Sequence, residues 1–133
     1  MIRKAEEIDI PKIEQLMRSE PGFWSDKWPK DALHTAIRSA EGLALVWDEQ
    51  GMILGFICAH NLGFRGYLSE LIVSKEARGK NIASGLLERI EQELRSQGCP
   101  IVISDVWKTA EPFYRKMGWF PPDVTLLAKR TEK

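Results

Sequence analysis

Cysteine is scarce in this chain. Its 133 residues contain only Cys58 and Cys99, 41 positions apart, with no C-x-x-C and no histidine near a cysteine pair. That excludes a disulfide framework and the usual zinc spacings, and it leaves two small apolar side chains as the plain reading. Histidine is equally sparse, with His34 and His60 only, and no metal site is expected. Charge of one sign is missing too. Nineteen Lys and Arg balance nineteen Asp and Glu, which argues against a dedicated nucleic-acid binder. Long apolar runs are absent: Met52 to Ala59 is among the longest, far short of a bilayer span. No apolar stretch follows Met1–Glu7, so no secretory signal is expected and a cytoplasmic location is the default.

What is present suits a globular domain. Hydrophobic residues make up 44% of the chain and charged residues 29%. A chain of this length buries about two-thirds of its unfolded surface without a staple, and a single domain over residues 1–133 is expected. Met1 to Ala5 reads as a short strand. Asp9 then reads as an N-cap with Pro11 in the first helical turn, and Ile10, Ile13, Leu16 and Met17 share one helix face. Pro21-Gly22 ends that helix. An aromatic loop with Phe23, Trp24 and Trp28 follows, and then a second helix marked by Ala32, Leu33, Ala36 and Ile37. Leu43–Trp47 and Met52–Ala59 make a hairpin around Asp48–Gly51, and Tyr67–Val73 is the next strand. The longest helix covers about Asn81–Gln97, with a stripe of Ile82, Ala83, Leu86, Leu87, Ile90 and Leu94 and with Gly98 as its stop. Ile101–Val106 reads as a strand, Ala110–Met117 as a short helix and Val124–Ala128 as a final strand. The order β-α-α-β-β-β-α-β-α-β implies an α/β (α+β) fold, with a mixed, mostly antiparallel sheet and helices on both faces.

The segment Leu71 to Ala83 holds the strongest chemical signal. A strand feeds a basic loop, Arg78-Gly79-Lys80-Asn81, that opens directly onto the long helix. The first amides of a helix lack internal partners, and its dipole adds positive character there. Together with Arg78 and Lys80 this suits a pyrophosphate. An ordinary strand-to-helix connection with solvated basic residues is the alternative. Neither a Walker loop nor G-x-G-x-x-G is present, so a nucleoside triphosphate or a dinucleotide is not the expected ligand.

Arg78-Gly79-Lys80-Asn81-Ile82-Ala83 resembles the Q/R-x-x-G-x-G/A loop of the GNAT superfamily of N-acetyltransferases, and Ala110-Glu111-Pro112-Phe113-Tyr114-Arg115-Lys116-Met117-Gly118-Trp119 resembles its A-x-x-F-Y-x-x-x-G-F segment. The resemblance implies the GNAT fold and an N-acetyltransferase that moves an acetyl group from acetyl-CoA to a primary amine. It implies direct transfer in a ternary complex, on a small-molecule or peptide acceptor. It also implies a homodimer, since members are often dimers. The pyrophosphate would lie on residues 78–83, and the pantetheine along Leu71, Ile72 and Val73, with a backbone amide near Ile72 facing the thioester oxygen. Two positions depart from the family pattern. Asn81 replaces the central loop glycine, where its side chain would either donate to phosphate or crowd it. Trp107 replaces an asparagine that often contacts CoA.

Under the resemblance Tyr114 is the acid that meets the leaving thiolate, since an ordinary tyrosine stays protonated at neutral pH. Packing beside Phe113 is its alternative role. Glu70 is the candidate base, and needs burial or a water relay because a free carboxylate is weak; a cross-strand salt bridge or a solvated strand face is its alternative. Phe23, Trp24 and Trp28 form a candidate aromatic wall for a cationic amine, helped by Glu20 and Asp26, or else cap the core. Cys58 has no base near it in sequence, which disfavours a covalent acyl-enzyme. The rival reading is a CoA-binding sensor or partner module that shares the fold but turns over weakly. A second is acetylation of a protein terminus or an aminoacyl-tRNA, and zero net charge disfavours the tRNA.

Overall fold

The computed structural model describes residues 1–132. Five strands form one sheet in sequence order: β1 (Ile2–Lys4), β2 (Ala44–Glu49), β3 (Met52–Asn61), β4 (Gly66–Val73) and β5 (Val102–Ile103). The first three junctions are antiparallel and β4–β5 is parallel, the mixed sheet expected. Four helices accompany it: α1 (Ile10–Arg18), α2 (Ala32–Ala40), α3 (Ile82–Ser96) and α4 (Glu111–Lys116). Among the described residues no helix is long and apolar enough to cross a membrane.

Helices cover both faces of the sheet because β3 is apolar on both. Phe56 and Cys58 face the α1–α2 side, where the Cys58 thiol points at the Ala36 carbonyl. Gly55 faces α3. A Cβ there would stand 2.9 Å from Ile82 Cγ2 and 2.9 Å from Leu86 Cδ1, so glycine lets helix and strand approach. Ile13, Met17, Phe56, Ile57, Leu86, Leu87 and Ile90 are fully buried.

Three expectations need correction. Asp9 precedes α1 but does not cap it with its side chain. Its carboxylate instead accepts the Glu6 amide at 2.8 Å and both Nη atoms of Arg3 at 2.8 Å each. Arg3 also reaches Asp48 at 2.9 Å, so one guanidinium ties β1 to the start of α1 and to the end of β2. The strand expected over 101–106 shrinks to Val102–Ile103, because Ser104 turns its hydroxyl onto the Leu68 carbonyl at 2.8 Å and the chain leaves β4. The strand expected over Val124–Ala128 does not form. Pro121-Pro122 remove two amide donors, and two-residue β5 offers little edge to pair with. Leu127 is left 86% exposed.

Arg3 holds the Asp9 carboxyl below the usual carboxylate range through its hydrogen bonds. Such a group stabilises the fold above its unfolded value and loses that contribution as pH falls. Asp9→Asn is therefore expected to cost about 2–3 kcal/mol at pH 7. Denaturant melts should show that cost shrinking as pH falls below about 4, where the unfolded chain takes up the proton first, and vanishing only once the folded carboxyl protonates as well.

Candidate active site

The site begins where β4 and β5 part. Their ladder comprises Gly66 with Val102 and Tyr67 with Ile103 and then stops. Beyond Tyr67, β4 has no ladder partner on that side, and unpaired backbone groups of a sheet are available to a ligand. On its other edge β4 carries a bulge. Cys58 pairs with Glu70 and Ala59 with Leu68, so Ser69 is the extra residue. Bulges re-aim side chains. Ser69 hydrogen-bonds the Cys58 carbonyl at 3.0 Å and His60 Nε2 at 3.1 Å.

Two clefts meet at this bulge. The first, about 390 Å³, lies over the β4–β5 split and is lined by Phe23, Glu70, Leu71, Asp105, Trp107 and Tyr114, among others. The second, about 450 Å³, lies between α2 and the sheet. Trp28, Ser69 and Glu70 line both, which puts the Glu70 carboxylate at their junction.

Burial pushes Glu70 up to about 7, and the negative charge of Asp105 adds to the effect. Glu70 thus changes charge near neutrality, as a general base does. Tyr114 is 8% exposed and sits edge-to-face between Phe113 at 5.2 Å and Trp119 at 5.3 Å. Burial, and then the Glu70 charge, raise it to about 12. It is both a core aromatic and a residue of the cleft wall. Sequence reading missed Asp105 and Ser69. Asp105 accepts the Tyr67 hydroxyl, and burial followed by this bond raises Tyr67 to about 12. A bulge and a cross-strand charge leave no periodic signal in one sequence.

At the C-terminal end of β4, a 3-10 turn over Lys75–Ala77 leads into the loop Arg78–Asn81 and then α3. Asn81 has φ 62° and ψ 24°, the left-handed conformation, and Gly79 has φ 86°. Asparagine tolerates this region better than most residues, so the glycine-to-asparagine departure leaves the loop shape available. The Asn81 side chain is exposed, and a Cβ at Gly79 would meet nothing within 4 Å, so the loop backbone stays open. The Ile82 side chain, in contrast, is buried against Gly55, and Ile72 is buried too; only their backbones remain for a ligand. Arg78 is paired with Glu20.

The aromatic loop divides its residues. Phe23 lines the first cleft, Trp24 the second and Trp28 both. Gly22 packs on Trp107, where a Cβ would stand 3.1 Å from the ring. The two acids expected to help a cationic amine are already engaged. Glu20 pairs with Arg78, and Asp26 pairs with Arg18 at 3.1 Å, whose guanidinium lies 4.9 Å from the Trp24 centroid. Cys58, expected to lack a nearby base, has His60 two residues on, with Nε2 at 3.8 Å from its sulfur. Burial nevertheless pushes its thiol up to about 11, the wrong direction for a nucleophile.

A mixed sheet split at its parallel junction, with helices on both faces, is the fold of N-acetyltransferases, and solved structures bear this out. The chain superposes on a glucosamine-6-phosphate N-acetyltransferase of Arabidopsis thaliana with TM-score 0.73 and 22% identity, covering 99% of this chain and 98% of that one. An acetyltransferase of Trypanosoma brucei gives 0.74 and 21%, covering 98% and 99%. A transcriptional regulator of Bacillus halodurans gives 0.80 and 18%, covering 98% of each chain. The acetyltransferase (GNAT) family model matches residues 10–119, and the chain belongs to that family.

Two outcomes are expected. A carboxyl whose folded value lies above its unfolded value of about 4.5 costs stability as pH rises from there to about 7. Glu70→Gln should therefore raise stability at pH 8 by on the order of 2 kcal/mol and leave it unchanged at pH 4, read from melting curves. Asn81→Val should lose about 1–2 kcal/mol, and Asn81→Gly should not.

Proposed function

We propose that the protein is an acetyl-CoA-dependent N-acetyltransferase that acetylates a primary amine by direct transfer in a ternary complex. The observation that carries this reading is the Glu70 carboxylate, titrating near neutrality where two clefts meet, with Tyr114 in the wall of one of them. The residues present fit acetyl-CoA. The open loop Arg78-Gly79-Lys80-Asn81 and the first amides of α3, at Ile82 and Ala83, suit its pyrophosphate. The unpaired edge of β4 at Leu71, Ile72 and Val73 suits its amide-bearing arm. Trp107 gives that arm an apolar wall in place of a hydrogen bond. Bound there, acetyl-CoA supplies an acyl group activated as a thioester.

Glu70 takes a proton from the substrate ammonium, directly or through a water, and so makes the amine a nucleophile. The carbon–nitrogen bond forms and the carbon–sulfur bond breaks. Glu70 releases its first proton to bulk water and then takes the second nitrogen proton, and the departing thiolate takes one proton back from water. The backbone amide of Ile72 or a neighbour polarises the acyl carbonyl. Tyr114, at about 12, holds its proton more firmly than an ordinary thiol near 8.5. Its part is to hydrogen-bond the departing thiolate rather than to surrender the proton outright. No covalent enzyme intermediate is used, in keeping with the raised Cys58 thiol.

Isothermal titration is expected to show micromolar acetyl-CoA binding, weakened roughly 10- to 100-fold in Arg78→Ala, the worth of one charge-assisted contact. No binding by the wild type would sink the reading. In steady-state assays kcat/KM should climb with pH through about 7, and Glu70→Gln should lack that limb. Tyr114→Phe should lower kcat by about 100-fold while leaving acetyl-CoA affinity unchanged.

A further inference from the structure

The second cleft differs from the first in character. Its walls are Met17, Leu33, Ala36 and Phe56, with Trp24 and Trp28 set edge-to-face at 5.3 Å. Its polar end gathers His60, Ser69 and Glu70. The ionisable groups lining it are Cys58, His60 and Glu70, so among the described residues it has one carboxylate and no lysine or arginine. At about 450 Å³ it falls in the range of small-molecule sites.

We propose that this cleft is the acceptor site, and that the acceptor is a monoamine with an apolar, aromatic-sized body and no second charge. The proposal rests on the acetyltransferase reading above and narrows its substrate class. The amine end meets Glu70, the one carboxylate, where both clefts converge. The body lies along α2 and Phe56, where burial of apolar surface holds it.

Charge excludes the alternatives. A polyamine or a multiply aminated sugar brings further ammonium groups, and each would need a counter-ion in an apolar wall. The two loop acids that could serve are held by Arg18 and Arg78. An amino-sugar phosphate needs a cation, and none lines the cleft. An uncompensated charge costs far more there than a missing apolar contact.

The test compares 2-phenylethylamine, spermidine and glucosamine 6-phosphate as acceptors, read by release of the CoA thiol. It adds calorimetric titration of 2-phenylethylamine into the protein–CoA complex. Two variants narrow the cleft, Ala36→Phe inside it and Ser39→Trp at its exposed rim. The second guards against misfolding of the first. The expected result is highest kcat/KM for 2-phenylethylamine. Each variant should raise its KM about tenfold or more, with acetyl-CoA affinity within about twofold of wild type. Higher kcat/KM for either polar amine, or an unchanged KM in both variants, would overturn the proposal and leave the acetyltransferase reading intact. Acetyl-CoA binding with no titratable 2-phenylethylamine would overturn it likewise. Failure to bind acetyl-CoA would overturn both.

Discussion

The early end of the β4–β5 ladder is the constraint on which the rest of the molecule turns. Backbone groups inside a sheet need partners, yet β4 has no ladder partner on its β5 side after Tyr67. Ser104 spends its hydroxyl on the Leu68 carbonyl and carries the chain outward. The gap so made is bounded by Trp107 and α4, and α4 delivers Tyr114 into it. The same strand that opens this gap ends at the loop before α3, so the split and the loop are consecutive features of one chain segment. An arm that pairs with β4 and a pyrophosphate that rests on α3 would follow one continuous line.

The bulge at Ser69 does complementary work on the opposite edge of β4. By inserting one residue between the Cys58 and Ala59 pairings, it brings Ser69 and Glu70 to the wall shared by two clefts. The carboxylate sits there in poor contact with water and in the field of Asp105. The fold gives up stability to hold an ionised group in such surroundings, the trade expected where a residue serves chemistry rather than packing. Tyr114 completes the arrangement. Two aromatic neighbours fix its ring, and burial keeps its proton in place across the neutral range.

Between α1 and α2, the aromatic loop spans both clefts and consumes its own charges. Glu20 goes to Arg78 and Asp26 to Arg18, while Gly22 rests on Trp107. Ion pairs on a partly exposed loop contribute little to stability. Their consequence is electrostatic, since Glu70 is left as the one carboxylate among the described residues lining the cleft beside α2. Arg78 gives one Nη to Glu20 and keeps its remaining N–H groups at an exposed position.

Local rules made much of this legible in the chain itself. Helical periodicity marked α1, α2 and α3, and alternation with a turn marked the β2–β3 hairpin, because those patterns repeat within a few residues. The loop at Arg78–Asn81 and the segment around Tyr114 were visible because their chemistry is contiguous. Asn81 even keeps the left-handed backbone that a glycine would have taken. The tertiary structure decided the rest. The bulge at Ser69, the split after Tyr67, the loss of the strand expected over Val124–Ala128, the capture of Glu20 and Asp26 by arginines, and the meeting of Glu70 with Asp105 all depend on contacts between residues far apart in sequence. A sequence carries periodicity and residue chemistry, whereas burial and charge proximity, which set the character of Glu70 and of the cleft beside α2, exist only once the chain has folded.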